Sequence, residues 1–179
     1  QQQQQQQHHQ LRHHDNIETK PLQSMTNRDW RIFRENHNIV CKGGKAPPPF
    51  RNFRDGNLLD PALVRVLYDH MGYRDPTPIQ MQAIPIGLQR RDLIGIAETG
   101  SGKTAAFGIP LIQYLLQLPS RFTTQERVAE FGPLAMVLAP TRELALQIDG
   151  EFQKLLRFTF GGSGSTSGSG SGSGSSRRS

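Results

Sequence analysis

A run of eight residues near the middle of the chain has the residue types that can hold a phosphate group. The run consists of Ala97, Glu98, Thr99, Gly100, Ser101, Gly102, Lys103 and Thr104. Its glycines let the backbone bend so that successive N–H groups and a helix N-terminus point at one anion. Lys103 would add a cation for the outer phosphates, and the Thr104 hydroxyl would be a ligand for Mg²⁺. The run is typical of a phosphate-binding loop, although Ala97 stands where the usual pattern has glycine.

The residues on either side of this loop predict the elements that it must join. The apolar run from Asp92 to Ala97 predicts a buried parallel strand, and a helix is expected from Lys103 to about Leu118. A second apolar run, at 134–138, predicts another strand, which completes a right-handed strand, helix and strand unit. The predicted fold class is therefore α/β. An ordinary glycine turn before a helix is the alternative explanation, but it does not require all eight loop positions.

A second informative stretch ends at Gln80. Residues 76–78 read Pro-Thr-Pro, which predicts a rigid turn leading into a helix. A glutamine amide can donate and accept hydrogen bonds together, which is what the edge of adenine requires. By spacing alone, Gln80 is better explained as an ordinary residue at a helix start. An earlier helix is predicted from Asp60, its N-cap, to Gly72.

Thr141 and Arg142 directly follow the second predicted strand and precede another predicted helix. Ligands of parallel sheets bind beyond the carboxyl ends of the strands, so these residues are expected on the same rim as the phosphate-binding loop. Arg142 could equally be a surface residue that pairs with Glu143 or Asp149.

Composition sets the outer limits of the interpretation. The chain has 179 residues, enough for one domain, and a net charge of +6 that lies mostly in residues 1–45 and in Arg177 and Arg178. Charge is therefore weak evidence for nucleic-acid binding. Cys41 is the single cysteine, which rules out an internal disulfide. No apolar run approaches the length of a membrane span.

Changes in composition divide the chain into four predicted segments. They are a disordered Gln/His-rich head (1–24), a short helix with a Pro/Gly linker (25–49), an incomplete α/β domain (50–158) and a flexible Gly/Ser-rich tail (159–179). We interpret the tail as an engineered linker, a translated repeat or a frame-shifted end, with an RNA-contacting tail as the alternative. His9 and His13 lack the further ligands that a metal site needs. Because the first methionine is Met25, we expect a piece of a longer reading frame.

Four motifs in this order resemble the first half of the amino-terminal RecA-like domain of DEAD-box RNA helicases. They are Phe53, Pro76-Thr77-Pro78-Ile79-Gln80, the loop at 97–104, and Pro140-Thr141-Arg142-Glu143-Leu144-Ala145. The resemblance runs from about residue 50 to 157 and implies a partial RecA-like P-loop NTPase domain that binds ATP and Mg²⁺. It implies that Phe53 stacks on adenine, that Gln80 reads the adenine edge, and that Lys103 and Thr104 are catalytic, with Thr104 on the metal. Thr141 and Arg142 would contact the RNA backbone.

The segments at 25–35 and 42–45 resemble, more narrowly, the members of that family that act in pre-mRNA splicing with the U5 small nuclear ribonucleoprotein. This resemblance implies RNA and U5 components as partners and the nucleus as the location. The sequence has no Asp-Glu-Ala-Asp box, no Ser-Ala-Thr motif and no second RecA-like domain, so we expect the chain alone to be catalytically incomplete. The alternatives are a different P-loop NTPase and a non-catalytic product that binds ATP or RNA.

Overall fold

The computed structural model describes residues 17–119, 129–130 and 132–160. Its main helices are α1 (Asn27–Asn36), α2 (Pro61–Arg65), α3 (Pro78–Leu88), α4 (Lys103–Leu116) and α5 (Arg142–Phe160). A π-helical turn, Val66–His70, continues α2, and short 3₁₀ turns lie at Leu22–Ser24 and Asp55–Asn57. Among the helices of these ranges, none combines the length and the apolar character that crossing a membrane requires.

Helix α1 begins where the sequence predicts it, because Thr26 caps its N-terminus. The Asp29 amide donates to Thr26 Oγ1 at 3.3 Å, and the Thr26 amide donates to Asp29 Oδ2 at 2.8 Å. This reciprocal pair is a capping box, which satisfies two backbone donors at the helix start. Lys20 Nζ adds a third bond to the same carboxylate oxygen at 2.6 Å. The carboxylate thus joins α1 to the segment that precedes it.

Helix α2 supplies much of the main core. Asp60 caps it, as predicted, by accepting from the Ala62 amide at 2.8 Å, and the side chains of Leu63 and Leu67 are fully buried. Gly72 follows the π-helical turn that continues α2, and its φ of +66° is a conformation that glycine adopts without strain. The fully buried members of the core around α2 come from distant parts of the domain: Phe53, Leu63, Leu67, Ile84, Ile109, Ile112 and Leu155.

Helices α3 and α4 pack closely at a point where α3 has no side chain. A Cβ added to Gly87 would lie 2.8 Å from both Cβ and Cγ of Pro110. Pro110 lies inside α4, as the sequence predicts, and Gly87 gives it room. The spacing of these two helices is therefore set by one glycine and one proline.

Helix α5 covers α4 with the middle of its length. The Phe152 ring lies against Gly108, where an added Cβ would come within 3.2 Å of Phe152 Cζ, and its centroid is 6.0 Å from that of Phe107. Leu155, on the same helix, is 1% exposed. Phe152 and Leu155 thus face the core, whereas Leu144 in the first turns is 37% exposed.

The two predicted strands are not formed in the described part of the chain. Residues 92–97 and 134–138 have no regular secondary structure, and Ile94, Ile96 and Leu138 are more than 80% exposed. The prediction that the first of these segments is buried is therefore wrong for this structure. The physical reason is that a strand of a parallel sheet needs neighbouring strands for its hydrogen bonds and helices over both faces. Within the described ranges neither segment has a paired strand, so the predicted sheet stays a prediction.

The segment that precedes the domain is more ordered than its composition indicates. Disorder is expected through residue 24, yet Ile17 is 2% exposed and packs in a second cluster with Trp30, Phe33 and Met81. Met81 belongs to α3, so this second cluster joins α1 to the domain. The contacts are distant in sequence, and local composition cannot indicate them. The head at 1–16 and the tail at 161–179 lie outside the described residues, and the four-segment division stays a prediction.

We predict that Gly87→Ala destabilises the fold by about 1–3 kcal/mol, the usual effect of overpacking a close contact. Gly150→Ala is the matched control: Gly150 lies in α5 with nothing within 4 Å of an added Cβ. There alanine should stabilise the helix by up to about 1 kcal/mol. Denaturant unfolding of the two variants measures both effects. Equal and small changes in the two variants would contradict the close α3–α4 packing.

The Asp29 carboxylate gives the stability of the start of α1 a defined pH dependence. The bond from Lys20, followed by those from the Thr26 amide and hydroxyl, lowers the pKa of Asp29 from 3.8 to about 2. Because the pKa is lower in the folded chain, the charged carboxylate stabilises the fold above pH 3.8. That contribution is lost as the pH falls through about 2.

We therefore predict that the stability difference between the wild-type chain and Asp29→Asn shrinks between pH 3.8 and about 2. The fluorescence of Trp30, the single tryptophan, reports unfolding of this region during denaturant titrations at each pH. A difference that stays constant across that range would show that the carboxylate charge does not contribute.

Candidate functional site

The glycine-rich loop at 97–104 has the backbone geometry of an anion cradle. Gly100 and Gly102 have φ values of +79° and +85°, in the left-handed region that favours glycine. Gly102 is the N-cap of α4, so the free amides of the first turn of this helix follow directly. An added Cβ at Gly100 would meet nothing within 4 Å, and this side of the loop is therefore open. The loop and the start of the helix are arranged as the sequence predicts.

The first turn of α3 braces this loop from one side. Gln80 Nε2 donates to the Gly102 carbonyl oxygen at 3.1 Å, and Thr77 Oγ1 donates to the Ser101 carbonyl oxygen at 2.7 Å. Gln80 Oε1 accepts from the Thr77 amide at 3.0 Å. Gln80, which is 3% exposed, thus has the ordinary helix-start role and also contacts the loop. Thr77 was not singled out from the sequence, although the Thr-x-x-Gln spacing of a capping box indicates it.

The Lys103 ammonium group lies against the backbone of the loop. Lys103 Nζ donates to the Ala97 carbonyl oxygen at 2.7 Å and also to that of Glu98. An ammonium group has three donors, so one remains for another acceptor. The side chain is half-buried, and the loop carbonyls hold its cation beside the loop amides. The site therefore combines a fixed positive charge with backbone donors, which suits an anion with several oxygens.

The residues of this loop fit a phosphate group bound with Mg²⁺. Ser101 Oγ is buried without a hydrogen-bond partner among the described residues, and a phosphate oxygen is a suitable acceptor for it. Thr104 lies half-buried in the first turn of α4, where its hydroxyl could be a metal ligand. Among the described residues there is no group of three or more His, Cys, Asp or Glu side chains that could hold a metal. An ion at Thr104 would therefore depend on phosphate oxygens and water for its other ligands.

Phe53 lies in the core of the domain. Its side chain is fully buried, with ring centroids 6.0 Å from Tyr68 and 6.3 Å from Tyr73. In this arrangement the ring has protein on all sides, so stacking on adenine would need a rearrangement and stays a prediction. Tyr73 is only half-buried, and burial raises the pKa of its hydroxyl. Its ring covers Phe53 on the side of the core where α2 ends.

Thr141 and Arg142 lie at the exposed start of α5. Thr141 Oγ1 accepts from the Leu144 amide at 3.2 Å, so this threonine caps the helix. The contacts of α5 with the core come from Phe152, Leu155 and Leu156, more than two turns further along. The structure therefore brings Thr77, Gln80 and Lys103 to the loop, but it gives Thr141 and Arg142 no contact with the core. Their role at RNA stays a prediction.

We predict that Gly102→Ala weakens the fold and the loop more than Gly100→Ala does. Both changes place alanine at positive φ, which costs about 1–2 kcal/mol in each case. Only at Gly102 would the added Cβ also overlap Gln80 Nε2, and it would come within 3.3 Å of Thr77 Oγ1. The difference between the two unfolding free energies therefore measures the brace. Equal losses would mean that the brace contributes nothing.

Comparison with known proteins identifies relatives for most of the chain. Residues 77–177 match the DEAD/DEAH box helicase family. Over 132 residues the chain is 57% identical to the human "Probable ATP-dependent RNA helicase DDX23", which covers 74% of this chain and 16% of the human protein. Over 136 residues it is 54% identical to "Pre-mRNA-splicing ATP-dependent RNA helicase PRP28" of Yarrowia lipolytica, covering 75% of this chain and 23% of that protein. The chain therefore spans less than a quarter of the length of these relatives.

Two solved structures of splicing helicases are also similar. The yeast DEAD-box splicing factor Prp28 matches with a TM-score of 0.71 and 40% identity, over 81% of this chain and 33% of that one. Prp28 from Chaetomium thermophilum bound to ADP matches with a TM-score of 0.64 and 49% identity, over 76% and 31%. The fold is thus that of a RecA-like helicase domain, and the chain belongs to the DEAD/DEAH box helicase family, with splicing helicases among its relatives.

Proposed function

We propose that the chain is part of an ATP-dependent RNA helicase that acts in pre-mRNA splicing, and that its described residues form the ATP-binding site. The observation that carries the proposal is the brace between Gln80 and the Gly102 carbonyl oxygen. It joins the residue expected to read adenine to the loop expected to hold phosphate. The family to which the chain belongs and the names of its relatives, which are ATP-dependent RNA helicases, support the same activity.

The proposed roles divide along the nucleotide. Lys103 and the amides at the start of α4 bind the phosphates, and Ser101 Oγ gains an acceptor there. The Thr104 hydroxyl would hold Mg²⁺, and a bound ion would supply neutralisation of the phosphate charge. Phosphate oxygens would compete with the Ala97 and Glu98 carbonyls for the Lys103 ammonium group. Before a phosphate binds, the loop carbonyls would keep the Lys103 ammonium group close to the position where it would bind phosphate.

Gln80 would connect adenine recognition to the state of the loop. Its amide already donates to Gly102 and accepts from Thr77, so adenine must share or replace these partners. Because the side chain is nearly fully buried, any exchange of partners moves the first turn of α3 or the loop. Phe53 would complete the adenine site by stacking after a rearrangement of the surrounding rings.

The remaining parts of the proposal rest on the relatives. Thr141 and Arg142 would bind the sugar-phosphate backbone of RNA, which suits recognition without base preference. The partners would include components of the U5 small nuclear ribonucleoprotein, the location would be the nucleus, and the segments at 92–97 and 134–138 would pair as strands in a complete sheet. Since the sequence has no Asp-Glu-Ala-Asp box, the chain by itself would bind ATP without hydrolysing it at a useful rate.

A second candidate is a non-catalytic product that binds ATP or RNA and competes with a complete helicase. The loop and its brace support this candidate equally, because they would serve binding without turnover. The two candidates share the nucleotide site and differ in whether the encoded protein carries the hydrolysis motifs. Sequencing the transcript beyond Phe158 therefore separates them: a continuation with an Asp-Glu-Ala-Asp strand supports the helicase, and a stop after Ser179 supports the non-catalytic product.

We predict Mg²⁺-dependent binding of ATP that is stronger than binding of GTP. Lys103→Ala should weaken ATP binding by about tenfold or more, because charge-assisted hydrogen bonds are lost. Gln80→Ala should reduce the preference for ATP over GTP. Lys154→Ala is the matched control, since this lysine lies on the surface of α5 in an ion pair with Glu151. Isothermal titration calorimetry measures the ATP and GTP affinities of all four proteins, and ATP binding that Lys103→Ala leaves unchanged would contradict the proposed site.

A further inference from the structure

Helix α3 is held on two opposite sides by different parts of the chain. Successive residues of a helix are rotated by about 100°, so Gln80 and Gln82 project to nearly opposite sides. Gln80 contacts the phosphate-binding loop, as described above. Gln82 contacts α1 and the proline-rich segment after it. A single turn of α3 therefore connects the segment before the domain to the loop.

The contact on the side of Gln82 is a closed set of three hydrogen bonds. Arg34 Nε donates to Gln82 Oε1 at 2.8 Å, and Gln82 Nε2 donates to the Pro47 carbonyl oxygen at 3.0 Å. Arg34 Nη2 donates to the same Pro47 oxygen at 2.9 Å. Each member of the set thus bonds to the other two. These residues are separated by 13 to 48 positions, so the set fixes three distant parts of the chain relative to one another.

Apolar contacts also hold Met81, the residue next to this set of hydrogen bonds. Between Gln80 and Gln82, the Met81 side chain packs in the second cluster with Trp30 and Phe33. The Met81 carbonyl oxygen accepts from the Phe50 amide at 2.8 Å, which anchors the end of the proline-rich segment to α3. The backbone of Met81 is thus fixed by the first residue of the domain, and its side chain by residues that precede the domain.

Burial makes the polar set sensitive to the loss of one member. Gln82 is 6% exposed, so without Arg34 its Oε1 would lose a charged donor in a place that water reaches poorly. An unpaired buried acceptor costs more than the hydrogen bond contributed. The first turn of α3 can relieve this cost by rotating or shifting, and Gln80 moves with it. The loop would then lose the bond at the Gly102 carbonyl oxygen.

We propose that Arg34 and Gln82 are positioning residues of the nucleotide site: docking of α1 on α3 through Arg34, Gln82 and Pro47 holds Gln80 against the phosphate-binding loop. The segment before the domain thereby sets the affinity for adenine nucleotides without touching them. This inference rests on the proposed ATP site, although its structural part concerns the order of the loop alone.

The test compares three variants of the full chain. Arg34→Ala removes two of the three hydrogen bonds. Gln82→Met also removes two, and it introduces an apolar side chain of similar volume that favours helix. Arg31→Ala is the matched control, because Arg31 lies on α1 like Arg34 but its side chain is 71% exposed. Its Nε lies 3.9 Å from Glu35 Oε1. Hydrogen–deuterium exchange is measured at residues 97–106 and, separately, at residues 27–50. Titration with Mg²⁺ and ATP or GTP provides the second readout.

We expect faster exchange at 97–106 in Arg34→Ala and Gln82→Met, and exchange like that of the wild type in Arg31→Ala. ATP binding should weaken by about fivefold in the first two variants, at the lower end of typical coupling between sites. The preference for ATP over GTP should fall as well, a change that general loss of stability does not produce.

Faster exchange at 27–50 with no change at 97–106 would overturn the inference, since α1 would then be a local structural element only. The same holds for a wild-type preference for ATP in both variants. If the wild-type chain binds no nucleotide, the proposed ATP site fails for this chain, and exchange at 97–106 still decides whether α1 orders the loop.

Discussion

The hydrogen bond from Gln80 to the Gly102 carbonyl oxygen is the constraint on which the geometry of the site depends. Gly102 is the residue where the loop ends and α4 begins, so a bond there fixes the direction of the helix amides that face an anion. The bond forms because the capping box of α3 holds the Gln80 amide in one orientation, with Oε1 toward the Thr77 amide and Nε2 toward the loop. The same arrangement that begins one helix thereby positions the start of another.

The packing of α3 against α4 extends this constraint along both helices. At their starts the link is polar, through Gln80 and Thr77, and near the end of α3 it is a close contact between Gly87 and Pro110. Two contacts separated by two turns define both the distance and the angle between helices. A change at either end is therefore transmitted to the other, because neither helix can tilt without breaking a contact. The proposed nucleotide site lies at the polar end of this pair.

Local signals in the sequence predicted the local structure well. Asp60 caps its helix as expected, and Gly100 and Gly102 have the positive φ values that the loop motif requires. Each of these features depends on residues within four positions of one another. The contact of Arg34 with Gln82 spans 48 positions and has no local signature, so sequence reasoning could not find it. Ile17 was missed for the same reason, since its burial depends on Trp30 and Met81.

The predicted strands are not formed in the described ranges for a different reason, and their absence there indicates what holds the loop. The apolar content of residues 92–97 is that of a buried strand, yet burial depends on partners that the segment does not have in the described ranges. The loop that follows nevertheless keeps its left-handed glycines, its helix cap and the bonds of Lys103. These contacts come from α3 and α4 and from the loop itself. The loop is therefore held by α3 and α4 without paired strands, and α3 is also the helix on which α1 docks.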